Sequence, residues 1–199
     1  MRHLLVPLAV VALAAGCTPA VAPTGSPSVF ASPTVSVTPS PTPSPSPTAV
    51  ESFPPAPATE SPEQAEIRAA WMDYWGAFDR FARDPDLSDL SDTQRVTTGE
   101  AQDTILTALR GLREANMRTM GGLIFRDVEV EDPSRESDGL EFAIVQYCLD
   151  RSGVENIDTV TGERVAIEGP LTWPETMRLE KGLDGRWRAA QIRSGAGSC

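Results

Sequence analysis

The sequence predicts an α+β domain behind a long proline-rich tract. Three observations carry this. Apolar residues recur at helical spacing twice, within residues 62–84 and 97–117. The period then drops to two, in short runs separated by turn residues. Ahead of both lies a stretch in which proline alternates with serine and threonine. Helices followed by hairpin-linked strands are the pattern of the α+β class.

The chain opens on a leader, residues 1–16. "MRH" is cationic and "LLVPLAVVALAA" is apolar, followed by Gly16 and Cys17. A mature membrane-spanning helix needs ~20 apolar residues. This run is shorter, and its charged start and small residues describe a secretory signal. "Leu13-Ala14-Ala15-Gly16-Cys17" resembles the bacterial lipobox, with Ala14 where leucine is commoner. That resemblance implies a diacylglyceryl group on the Cys17 sulfur and an address on the outer face of the cytoplasmic membrane. Several acyl chains, at ~0.8 kcal/mol per buried CH₂, hold a soluble domain there. The alternative is an ordinary signal cut nearby that leaves Cys17 a free thiol.

Residues 17–62 are the lipidated cysteine and a tether. Thirteen of the eighteen prolines fall between Thr18 and Pro62, and the only charges there are Glu51 and Glu60. Such a segment has too little to bury to offset its ordering entropy. It reads as a disordered stalk biased to polyproline II. Fully extended, at ~3.1 Å per residue, it reaches roughly 140 Å, and as a flexible coil ~40 Å. The Ser/Thr-Pro pattern suits O-glycosylation, but a bare spacer is the simpler reading.

Two cysteines remain, Cys148 and Cys199. A pair in an exported chain reads as one disulfide. It fastens the C-terminal residue to a strand and closes a loop of about 50 residues, a contribution of ~4 kcal/mol in the entropy model. Two inert thiols or a redox pair are the alternatives, and no C-x-x-C spacing supports the latter.

Residues 63–199 are enough for one core and not for two. In the first helix Ile67, Trp71, Tyr74, Phe78 and Phe81 share one face, with Trp75 widening it. Ser61 and Pro62 mark its start and Pro85 its end. The second helix repeats the spacing with Ala101, Ile105, Ala108, Leu112 and Ala115, and Leu109 beside them; Gly121-Gly122 breaks the pattern. "IFRDVEVED" then alternates, with Val128 and Val130 on one face. "PSRESDG" is a turn. "LEFAIVQYCLD" is apolar on both faces and is placed centrally in the sheet. "SGVENIDTVTGERV" reads as a loop or short hairpin turning at Thr161-Gly162. "TWPETMRLEKG" is a strand, with Met177 and Leu179 assigned to opposite faces. Asp184-Gly185 is a hairpin turn, and "RWRAAQIRSG" closes the sheet.

Taken together, Ala70-Trp71 and Tyr74, then Ala143, Val145, Tyr147, Cys148, Asp150 and Ser152, then Thr161-Gly162, Gly185, Trp187 and Cys199, carry a resemblance. The chain resembles small actinobacterial lipoproteins whose exported domain is similar to the nuclear transport factor two-like (cystatin-like, SnoaL-like) fold. The resemblance covers about residues 63–199, with the lipobox and stalk upstream. It implies a curved antiparallel sheet wrapped around helices as a cone, often with a cavity between them. The fold hosts enzymes, binders and assembly modules, so it selects none of these.

The residue inventory excludes several chemistries. The only histidine is His3, inside the leader. The rest of the chain therefore has no imidazole base, no Ser-His or Cys-His nucleophile and no His-ligated zinc. There is no G-x-S-x-G, P-loop or Rossmann glycine pattern. No cofactor is expected, and "DVEVED" and "DPSRESD" lack calcium-loop spacing. A buried carboxyl can still act as a base, and Asp73, Glu141 and Tyr147 are the candidates by context. Their ordinary readings are a solvent-facing helix position, a strand end and a packed ring. Arg126 and Gln146 are polar residues in apolar strands, and either line a cavity or face solvent. Asp73, Tyr74, Arg126, Gln146 and Tyr147 are thus the candidate cavity-lining residues. Trp173 is a candidate rim aromatic.

The net charge of the whole chain is −11, and without the leader's Arg2 it is −12. Such a chain repels nucleic acid and anionic lipid heads. The expected function is a lipid-anchored, extracytoplasmic, non-enzymatic module. It would bind a partner protein or support the cell envelope. The alternative is a small-hydrophobic-ligand binder, or an isomerase-like enzyme, using the cavity between sheet and helices.

Overall fold

A computed structural model describes residues 52–199. The leader, Cys17 and the tract through Glu51 lie outside the described residues. Helix α1 spans Pro62–Arg83. Its start is set locally. The Gln64 N–H donates to Ser61 Oγ (3.2 Å) while the Ser61 N–H donates to Gln64 Oε1 (2.9 Å). This reciprocal cap, with Pro62 at the first helical position, satisfies donors that a helix start leaves open. A 3₁₀ turn, Ser91–Arg95, leads to helix α2, Gly99–Glu114. The buried line of α2 is Ala101, Ile105 and Leu109. Ala108 and Ala115, expected in that stripe, are exposed, because the four-residue line centres the buried face on Leu109.

Eight strands follow: β1 Met117–Gly121, β2 Ile124–Val130, β3 Ser134–Arg135, β4 Glu141–Asp150, β5 Val154–Asp158, β6 Arg164–Val165, β7 Thr172–Lys181 and β8 Trp187–Ser194. The larger sheet is antiparallel, in the order β2-β4-β7-β8, with β3 also paired to β4. The smaller sheet is β1-β5-β6. The domain is α+β, with two helices packed on a curved antiparallel sheet. The short hairpin expected to turn at Thr161-Gly162 is β5–β6 of the smaller sheet; β1, which pairs with β5, is not evident from the sequence. Gly121 explains why the chain turns there. It sits at φ +81, and a Cβ would fall 1.8 Å from the Gly153 carbonyl oxygen, so only glycine fits.

Strand pairing sets the faces. Val145 pairs with Met177 and Met177 with Ile192; Tyr147 pairs with Glu175 and Glu175 with Ser194; Leu149 pairs with Trp173. Residues two apart share a face, so these rows all point inward at the helices. Met177 and Leu179 are both fully buried and lie on the same face. Their assignment to opposite faces was an error against the strand period. Two bulges preserve the pattern. Asp127, at φ 52, is the extra residue in β2, and Ala190 the extra one in β8. The first lets Phe125 and Val128 both face inward although three residues apart.

The core begins before α1. Phe53 stacks on Phe125 (centroids 5.0 Å apart) and meets Trp71 edge-on at 5.3 Å. The Arg68 guanidinium donates to Glu60 Oε1 at 2.6 Å, with both side chains buried. Phe53 and Glu60 therefore pack into the domain although composition groups them with the tether. Cys148 and Cys199 form the disulfide, with 5.8 Å between their Cα atoms.

Candidate functional site

Between the helices and the sheets lies a cavity of about 410 Å³. Its helical wall is Tyr74, Trp75 and Phe78 from α1 and Leu112 from α2. Thr119 and Val154 of the smaller sheet form another side. The large sheet supplies Leu149, Trp173, Ile192, Ser194 and Glu175. The lining is mainly apolar, with a few convergent polar groups, the usual composition of a small-molecule site.

Glu175 is the chemical centre. It is only 7% exposed. The Tyr147 hydroxyl donates to its Oε2 at 2.8 Å. The Trp173 indole N–H and the Ser194 hydroxyl donate to its Oε1 at 2.7 and 3.2 Å. The sheet builds this cluster. Tyr147, Glu175 and Ser194 form one row across β4, β7 and β8, and Trp173 precedes Glu175 by one strand period. Burial pushes the Tyr147 phenol well above the ordinary tyrosine range, and the Glu175 charge adds to it. Burial and then Glu175 push Tyr74 up likewise. Both phenols therefore stay protonated, as donors.

The expected residues divide cleanly. Tyr74 lines the cavity, and Tyr147 reaches it through Glu175. Gln146 does not. It is next to Tyr147 in a strand, so it points outward, where it donates to Glu131 at 2.8 Å. Arg126 pairs in register with Cys148, on the same outer face. Its guanidinium is 49% exposed and bonds Asp150 at 2.8 Å. Asp73 is on the exposed side of α1, and Glu141, at the start of β4, bonds Arg135. Trp173 is half-buried and lines the cavity while holding Glu175. Glu175 itself was missed, although Trp173, Glu175, Met177 and Leu179 alternate strictly along β7.

Among the described residues no group of three or more His, Cys, Asp or Glu side chains could hold a metal ion. Another hollow, of about 490 Å³, lies against the outer side of α1, with Glu66, Asp73, Arg95 and Arg186 among its lining. Its charges are of both signs, and it lacks an enclosed polar centre.

No protein-family model matches the chain, and no curated protein sequence is similar enough to count as a relative. Solved structures are similar to it at low identity. The intermembrane space region of the chloroplast protein ARC6 has a TM-score of 0.46 and 10% identity, over 69% of this chain and 98% of that one. A periplasmic fragment of TraM has a TM-score of 0.43 and 14% identity, over 65% and 98%. A ketosteroid isomerase-like protein from Erwinia carotovora atroseptica has a TM-score of 0.38 and 18% identity, over 68% and 98%. At these values no activity or partner passes from them to this chain.

Proposed function

We propose that this chain is a lipid-anchored, extracytoplasmic module whose domain binds a small, mainly apolar molecule between its helices and its large sheet. The observation that supports the binding half is the apolar cavity with one buried, hydrogen-bonded carboxylate. The resemblance of Leu13–Cys17 to a lipobox and the proline-rich composition of the tract that follows support the anchored half. No described helix is long and apolar enough to cross a membrane.

Binding without turnover is the simpler reading. Three of the four lone-pair positions of Glu175 already hold donors, and residues 52–199 contain no histidine. The Tyr147–Glu175 pair favours a second reading, proton transfer on the bound molecule. Turnover abolished by Glu175→Gln would put that reading first.

Native mass spectrometry of the chain from an exporting host tests the binding half. A co-purified small molecule of defined mass is the expected result. A bare protein mass would shift the account to an envelope partner protein, to be sought by crosslinking in intact cells. Cys17→Ser tests the anchor. The variant should leave the membrane fraction, and one that still sediments with membranes would overturn lipidation at Cys17.

A further inference from the structure

The geometry points to a cationic ligand: an apolar body carrying a protonated amine, seated with its N–H groups against Glu175. This rests on the ligand-binding reading above and names the ligand's chemical class. Glu175 is buried, yet its three partners are a phenol, an indole and a hydroxyl, all neutral. Buried carboxylates are ordinarily paired with a cation. Here none of the partners is a lysine or arginine.

Arg151 is the basic residue lining the cavity, but it makes neither a hydrogen bond nor an ion pair with Glu175, and two of its five N–H groups are directed to backbone carbonyls. It donates to the Pro170 carbonyl at 2.9 Å and to the Glu168 carbonyl, and its guanidinium stacks over Trp173 at 5.1 Å. Glu175 Oε2 accepts from Tyr147 alone, and a carboxylate oxygen takes two donors. Glu175 lines the cavity, and an ammonium group donating to it would complete the missing pair. Tyr74 and Trp75 also line the cavity, and aromatic rings of this kind attract a cation. The net charge of −11 draws cations toward the domain. A fatty-acid carboxylate would meet like charge in a desolvated space.

Three ten-carbon probes separate the possibilities: decylamine, decanol and decanoate. Each is titrated calorimetrically into the full chain carrying Cys17→Ser, near neutral pH. Decylamine should bind with one-to-one stoichiometry and about tenfold or more tighter than decanol, the increment of a charge-assisted hydrogen bond. Decanoate should bind most weakly. Glu175→Gln should bring decylamine to the level of decanol. Decanol binding as tightly as decylamine would overturn the cation reading and leave the binding reading standing. Absence of binding by all three would overturn both. Should Glu175→Gln not fold, Ser194→Ala removes one donor and should retain the amine preference. Loss of that preference with decanol binding intact would count against Glu175 as the seat.

Discussion

The space between the helices and the large sheet is filled at one end and hollow at the other. At the filled end Ile67 and Trp71 of α1 cover Val145, Met177 and Leu179, all fully buried. Trp71 meets Phe125 at 5.0 Å and Tyr147 at 5.3 Å. One turn further along the same helix, Tyr74, Trp75 and Phe78 line the cavity. The same helix and the same strands make both ends. The difference is one row of the sheet: Val145–Met177–Ile192 is apolar, and the next inward row, Tyr147–Glu175–Ser194, is polar. A carboxylate there cannot be packed over by hydrocarbon without a hydrogen-bonding cost. The lesson is that the filled half serves as a rigid back wall, and that it supplies the Tyr147 hydroxyl that fixes the carboxylate.

Truncation should separate the halves most sharply. Trp71→Ala should cost about 4 kcal/mol, because a close-packed ring leaves a void. Leu112→Ala should cost about 1 kcal/mol, since that side chain is half-buried against existing space. Urea denaturation measures both, and equal costs would erase the distinction. The disulfide comes next. Cys148 lies beside Tyr147 but faces outward, so its link to Cys199 holds the back of the strand that carries the polar row. Replacing both cysteines with serine should cost about 2–4 kcal/mol. A loss well below that would mean the C-terminal residues hold to β4 without the bond.

The smallest effect is spectroscopic. The chain has two tyrosines, Tyr74 and Tyr147, one lining the hollow and one between the halves. Both have raised pKa values when folded. Each therefore contributes stability that is complete below the unfolded value of about 10 and is lost as pH rises above it. Tyrosinate absorbance should stay absent in the folded protein near pH 10 and appear in a single step with alkaline unfolding. A tyrosine that titrates near 10 while the domain remains folded would show that the hollow admits solvent freely to Tyr74 or that Tyr147 is not held by Glu175.

Much of this was legible in the sequence. Ser61, Pro62 and the Ile67–Trp71–Tyr74 stripe placed α1, and the change of period placed the sheet behind it. What escaped has physical causes. Met117–Gly121 directly follows a helix and is too short to show alternation. Phe53 and Glu60 sit among prolines, so composition concealed their packing. Polarity alone leaves Arg126 and Gln146 open to the cavity or to solvent; strand parity decides, since adjacent residues such as Gln146 and Tyr147 cannot share a strand face. Parity would also have found Glu175. Once Met177 and Leu179 are given one face, Glu175 must join them inside.

The most direct test of the hollow half is calorimetric titration of decanol into the Cys17→Ser chain, with and without Leu112→Trp. The account predicts saturable one-to-one binding that the added indole ring abolishes while the domain remains folded. Equal binding by both chains would place the probe outside the cavity, and no binding by either would mean the space does not take an apolar guest.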